Sequence, residues 1–328
     1  MRAVSRFSAV ALVSLVFFVA VPVQAGEQIT LTWTAGGAGG GWYSIAGGIA
    51  TIIKEADPDI VIKVIPGGGL QNPAVVASKG AEIGWGLPFL NAAAYKGMAP
   101  FEKPLEELRA LAGGMSMNYF HFYVDAESPY TTMDEIFGQK KKMRIAISQA
   151  GSSDTWVLER VLESYKTTLP ELEKTGFTFL RGNYAFQANQ FKDRNADSVF
   201  TFLALPGAAV TEASVGRKLK LIDFSESALK HLDQFGITKG LIPVGTYDKA
   251  ANTKDVVTAA SGSVITVSKD MSEALAYRLT KAFNDSFEKV RKVHSSMETY
   301  EIKDGPTGCG VPLHPGAVKY YKEKGLLK

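Results

Sequence analysis

The chain has 328 residues, with 36 Lys and Arg against 33 Asp and Glu, 46% hydrophobic residues and one cysteine. So balanced a charge argues against nucleic acid or an acidic membrane surface as partner, and a single cysteine permits no internal disulfide. The length is enough to bury two ordinary cores without staples.

Arg2 and Arg6 precede an uncharged stretch from Phe7 to Gly26, apolar from Ala9 to Val23, and Val23-Gln24-Ala25 fits a small-residue cleavage site. This predicts a secretory signal over residues 1–25 and a periplasmic mature protein, the apolar run being short for a membrane span. No cysteine lies near the cut, so no lipid anchor is expected. Without Arg2 and Arg6 the basic residues number 34, one more than the acidic ones.

Ile29–Thr34 alternates and is rich in β-branched and aromatic residues, which predicts a strand. Ala35–Gly48 follows, half of it glycine, and Ile45, Ile49, Ile52 and Ile53 then mark one face of a helix. A strand, a glycine turn and a helix start together make a seat for an anion, because the first helical N–H groups lack intrahelical partners. A phosphate loop would need lysine where Trp42 stands, and a dinucleotide loop would need its third glycine there. No nucleotide cofactor is expected, nor any other.

The pattern recurs. Asp59–Ile65 reads as a strand ending in Pro66–Pro73, then a helix to Lys79; Lys79–Gly86 reads as a helix end and a short strand that breaks at Leu87-Pro88. A helix through Ala92–Tyr95 and strands at Leu108–Gly113 and Tyr119–Val124 follow, the last read as a crossing between lobes. Thr131–Ile136 opens a second set as an N-capped helix. Met143–Ser148 is its strand, Gln149–Thr155 its turn, and Val157, Val161 and Leu162 one face of its helix. Asp193–Phe202 echoes residues 79–86. The chain returns through Val256–Val267 and ends in helices at Glu273–Val293 and Pro315–Lys324. Alternating strands and helices predict an α/β fold of two related lobes, with a shared cleft at the strand C-termini.

Catalytic signals are thin. His121, His231, His294 and His314 are scattered without metal-ligand spacing, and Gly151-Ser152-Ser153-Asp154 is not a nucleophile elbow. Ser152 and Ser153 suit either a helix cap or a donor to a bound carboxylate; a periplasmic hydrolase or transferase using one of them is the enzymatic alternative. Cys309 has no base nearby in sequence. Trp42, Tyr43, Trp85 and Phe202, at strand ends or helix starts, either pack in the core or wall a small-ligand pocket.

Gly-Gly-Ala-Gly-Gly-Gly-Trp-Tyr-Ser-Ile-Ala-Gly (36–47), Gly67–Asn72, Ala150–Thr155 and Pro312–Tyr321 resemble, in order, the TAXI family, the solute-binding subunits of TRAP (tripartite ATP-independent periplasmic) transporters. The resemblance implies a type II periplasmic-binding-protein fold, with residues 26–118 and 248–328 as one lobe and 119–247 as the other. It places ligand loops on Gly40, Gly41, Trp42 and Tyr43, on Gly69, Leu70 and Asn72, and on Ser152, Ser153 and Thr155. Phe202 and Pro206 mark the second-lobe strand end, and Trp85 and Pro88 lie at the matching end in the first lobe. Leu87-Pro88 stands where the family often carries an acid, so recognition of an ammonium group is not expected. The resemblance implies a receptor for a small organic anion that delivers it to a TRAP membrane permease; a monomer doing no chemistry is expected, and the missing acid makes a 2-oxo- or dicarboxylate the expected ligand. A ligand-presenting sensor subunit is the other reading.

Overall fold

The computed structural model describes residues 28–37 and 40–328. The expected leader, and Ala38 and Gly39 of the glycine loop, lie outside the described residues.

The chain opens with β1 (Ile29–Thr34), α1 (Gly41–Ala56), β2 (Ile60–Ile65), α2 (Asn72–Ala77), β3 (Ile83–Gly86), α3 (Pro88–Lys96) and β4 (Leu108–Ala112). Next come β5 (Asn118–Asp125), β6 (Arg144–Ile147), α4 (Ser153–Ser164), α5 (Leu169–Lys174), β7 (Thr178–Arg181), α6 (Tyr184–Lys192) and β8 (Ser198–Leu203). Then follow α7 (Ala208–Gly216), β9 (Leu219–Leu221), α8 (Glu226–Asp233), β10 (Thr238–Ile242) and β11 (Val256–Ser261). The chain closes with β12 (Val264–Ser268), α9 (Glu273–Asp285), α10 (Phe287–Arg291) and α11 (Pro315–Glu323).

Two sheets result. In the first, of order β2-β1-β3-β12-β4, β1 is parallel to β2 and β3, while β12 runs antiparallel to β3 and β4. In the second, of order β10-β11-β5-β8-β6-β7, β6 is parallel to β7 and β8, and β5 is antiparallel to β8 and to the short β9. The path β7-β6-β8-β5-β9 therefore repeats β2-β1-β3-β12-β4. The echo between residues 79–86 and 193–202 is the correspondence of β3 with β8.

In both sheets the antiparallel strand is the one the chain lays down after arriving from the other unit. The sequence reading put those crossings within Tyr119–Val124 and Val256–Val267. The first does not hold, since β5 lies wholly in the second sheet, where β11 joins it with Ala260 opposite Tyr119 and Ser261 opposite Asn118; the second holds, since the chain changes sheet inside 256–267. The chain passes between sheets in residues 113–117 and at Gly262-Ser263, where Met115 N–H donates to the Ser263 carbonyl at 3.1 Å. In the sequence a small-residue stretch, Ala259–Ser263, separates the β-branched runs 256–258 and 264–267 and holds the change of sheet.

The first core packs Ile45, Ile49, Ile52 and Ile53 of α1 against Leu31, Trp33 and the faces of α9 and α11. The second gathers Phe120, Phe122 and Phe200 from β5 and β8 with α4 and α8. The two units touch where Phe89 of α3 stacks on Trp156 of α4, centroids 5.5 Å apart. The single helix expected over Glu273–Val293 breaks at Ser286, since Asn284-Asp285-Ser286 are residues whose side chains compete with helical hydrogen bonds.

Candidate functional site

A cleft of about 760 Å³ opens between the two units at the C-terminal ends of β1, β2, β6, β7 and β8. Its first wall comes from the turns after β1 and β2. The N-cap of α1 is Gly40, in extended conformation, and the first turn carries no acid. Gly67 admits no side chain, because a β-carbon there would lie 2.3 Å from both Thr34 Oγ1 and Asn72 Oδ1. Asn72 Nδ2 donates to the carbonyls of Ala35 (2.7 Å) and Trp85 (2.8 Å), and Oδ1 accepts from Thr34 Oγ1 (2.9 Å) and Gly68 N–H (3.0 Å). One amide thereby ties together the ends of β1, β2 and β3.

The second wall has three helix starts. Ser152 caps α4, its hydroxyl accepting from Thr155 N–H at 3.2 Å, and Asn183 caps α6, accepting from Phe186 N–H at 2.9 Å. The turn before α7 is held by a relay: Gly207 N–H donates to Tyr247 Oη (2.8 Å), which donates to His121 Nε2 (2.7 Å). His121 Nδ1–H then donates to the Tyr119 carbonyl at 2.9 Å. The network assigns this tautomer, and burial pushes the His121 pKa down to about 4, so the ring is neutral.

Asp154, in the first turn of α4, is 2% exposed and borders the cleft. Its carboxylate accepts from the hydroxyls of Ser148 (2.8 Å) and Ser153 (3.2 Å). Burial raises its pKa, and those two donors oppose the shift. Glu212 of α7, the other acid lining the cleft, pairs with Lys192 at 2.7 Å. No Lys or Arg is among the described lining residues.

Of the residues expected at the ligand, Gly40, Gly41, Trp42, Gly69, Leu70, Ser152, Ser153 and Phe202 line the cleft, as does Pro206. The others do not. Tyr43 turns its hydroxyl to the Val64 carbonyl at 3.3 Å, and Asn72 is consumed by the strand ends. Trp85 is fully buried in a ladder, 5.1 Å from Trp33 and 5.9 Å from Trp42, and its Nε1–H donates to the Trp42 carbonyl at 3.0 Å. Trp42 alone of the three reaches the cavity. Thr155 bonds the Ser148 (2.9 Å) and Gln149 (3.2 Å) carbonyls, closing the turn after β6. Pro88 starts α3, which belongs to the contact between the units, so the Leu87-Pro88 break serves packing.

The cleft also holds residues the sequence reading passed over. Asn183 and Tyr184 of α6, Gly207 and Ala208 of α7, and His294 all line it. Asn183 carries an N-cap signal in the sequence, and Pro206-Gly207 marks the start of α7; His294 carries none, since only the fold brings it to Gly41. Among the described residues no histidine hydrogen-bonds Ser152 or Ser153, and no group of His, Cys, Asp and Glu is placed to hold a metal ion.

Two α/β units of one topology, joined by two crossings with a cleft between them, are the architecture of the periplasmic-binding-protein fold. Among solved structures, MatC from Rhodopseudomonas palustris with bound malate is 12% identical, with a TM-score of 0.53 over 84% of this chain and 90% of that one. A structure described as a periplasmic transporter is 12% identical, with a TM-score of 0.52 over 92% and 94%. The family model described as the NMT1-like family matches residues 33–325, and the chain belongs to that family.

Proposed function

We propose that this chain is a periplasmic receptor of the TAXI type. It captures a small organic anion of the 2-oxo- or dicarboxylate class and hands it to a TRAP membrane permease, and its two lobes follow the two sheets. The observation that carries the reading is the cleft itself: four helix starts, those of α1, α4, α6 and α7, converge on one cavity beside hydroxyl groups and the Trp42 ring. Such a lining offers backbone N–H groups and helix dipoles to an anion without a basic side chain. The run of glycine, Ser-Ser-Asp-Thr and C-terminal motifs along the matched region supports the TAXI assignment.

One premise drawn from the sequence changes. Leu87-Pro88, standing where the family often carries an acid, argues for a ligand without an ammonium group, but Glu212 borders the cavity together with Asp154 of the turn after β6. Calorimetry with 2-oxoglutarate, malate and succinate beside glutamate is the test, malate being suggested by the MatC structure. Binding of one of the first three is expected. Clearly tighter glutamate binding would move the ligand to the amino acids, and failure of all four, with an unrelated molecule found by native mass spectrometry of the purified protein, would overturn the anion class.

A further inference from the structure

The two walls of the cleft differ electrically. Both acids that line it, Asp154 on α4 and Glu212 on α7, belong to the second unit. Among the described residues the first-unit wall carries no acid and one ionisable ring, that of His294. A carboxylate at the first-unit wall therefore meets no acid, whereas the second wall sets Asp154 and the Lys192-paired Glu212 beside its three helix starts.

The His294 ring is fixed by what lies behind it. Nδ1 accepts from the Ser296 backbone N–H at 3.1 Å, so in the neutral ring the proton sits on Nε2. Burial lowers the pKa of this histidine, which favours that neutral form. Nε2 faces the start of α1: a β-carbon on Gly41 would lie 3.3 Å from it, so a residue without a side chain lets the ring sit there. Among the described residues Nε2 has no hydrogen-bond partner. Ser296 in turn meets Ser116 Oγ at 2.9 Å and accepts from Met117 N–H at 3.0 Å, both on the 113–117 crossing.

We infer that His294 is a specificity-determining residue of the cleft, donating its Nε2–H to one carboxylate of the ligand and holding that carboxylate at the first-unit wall. The inference rests on the carboxylate reading above and goes beyond it by fixing where one carboxylate of the ligand sits. It also links the bound carboxylate, through one imidazole and Ser296, to the segment that joins the sheets.

Nitrogen-15 spectra of the labelled full-length mature protein, with succinate, 2-oxoglutarate and acetate as probes, test this. The free protein should show the Nε2–H tautomer at His294. Adding a probe should shift His294 Nε2 together with the Gly41 and Trp42 amides. His294→Asn keeps an oxygen that can cap Ser296 N–H but does not reach Gly41; it should weaken binding about tenfold or more with an unchanged melting temperature. His294→Gln, which returns an N–H near the Nε2 position, should recover part of that loss. Probe shifts confined to the Ser152–Ser153 side, or His294→Asn binding like the parent, would overturn the His294 assignment and leave the carboxylate reading standing. No shift anywhere in the cleft with any probe would overturn both. Should His294→Asn lower the melting temperature, the parent spectra decide alone.

Discussion

Asn72 and Trp42 stand two loops apart and do opposite work. Asn72 has no hydrogen-bonding position left for a ligand, and its removal would strand two buried carbonyls and two donors. Asn72→Ala is expected to cost about 3 kcal/mol or more of stability, read as a lowered urea midpoint. Trp42 is the half-buried, cleft-facing end of a tryptophan ladder, so Trp42→Ala should weaken ligand binding, whereas Tyr43→Ala, one residue on, should leave affinity near that of the parent. Calorimetry on the pair checks the assignment, and a larger loss at Tyr43 would reverse it. His121 supplies a pH dependence. Its ordinary value of 6.5 falls to about 4 in the fold, so between those values the unfolded chain binds a proton that the native state refuses. This contribution is fully present above pH 6.5 and is lost as pH falls towards 4, by on the order of 3 kcal/mol. Ring protonation of His121 above pH 5.5 in an NMR titration would contradict it.

At the scale of elements, the second wall depends on how its helices begin. The Ser152 hydroxyl satisfies one of the first N–H groups of α4, and replacing it with alanine should cost about 1 kcal/mol in thermal or urea melts. The α7 start has no side-chain cap and leans on Tyr247 instead. Tyr247→Phe leaves the buried Gly207 N–H without an acceptor and should cost about 1–3 kcal/mol, with faster hydrogen exchange concentrated at residues 207–211. Uniform exchange across the second unit would show instead that the relay only adds to global stability.

At the scale of the molecule, two units are joined by two short crossings that run side by side, and they meet again where Phe89 stacks on Trp156. A ligand held by both walls adds contacts that exist only when the units are close. Small-angle scattering should therefore show the radius of gyration fall when the protein is saturated with the carboxylate that binds in calorimetry. An unchanged profile at saturation would count against closure.

Local signals made much of this legible. The 3.6-residue spacing of Ile45, Ile49, Ile52 and Ile53, the β-branched runs of β1 and β2, and the small-residue turns after β1, β2 and β6 all depend on near neighbours in the chain. The turns led to Gly40, Gly41, Gly69, Ser152 and Ser153, which line the cleft, because a helix start after a strand is a local event. What the chain could not show locally was direction. Trp85 and Trp42 look alike in sequence, yet one is sealed between two rings and the other reaches the cavity, a difference set by how β3 packs on β1. The change of sheet at Gly262 is likewise decided by pairing: β11 and β12 both open on β-branched residues, and their partners, β5 and β3, assign them to different sheets. His294 meets Gly41 from more than 250 residues away. By itself the sequence determined the periodicities, caps and turns that make the elements. Tertiary structure alone decided which side chains face the cleft, because that depends on contacts between segments whose separation in the chain leaves no periodic trace.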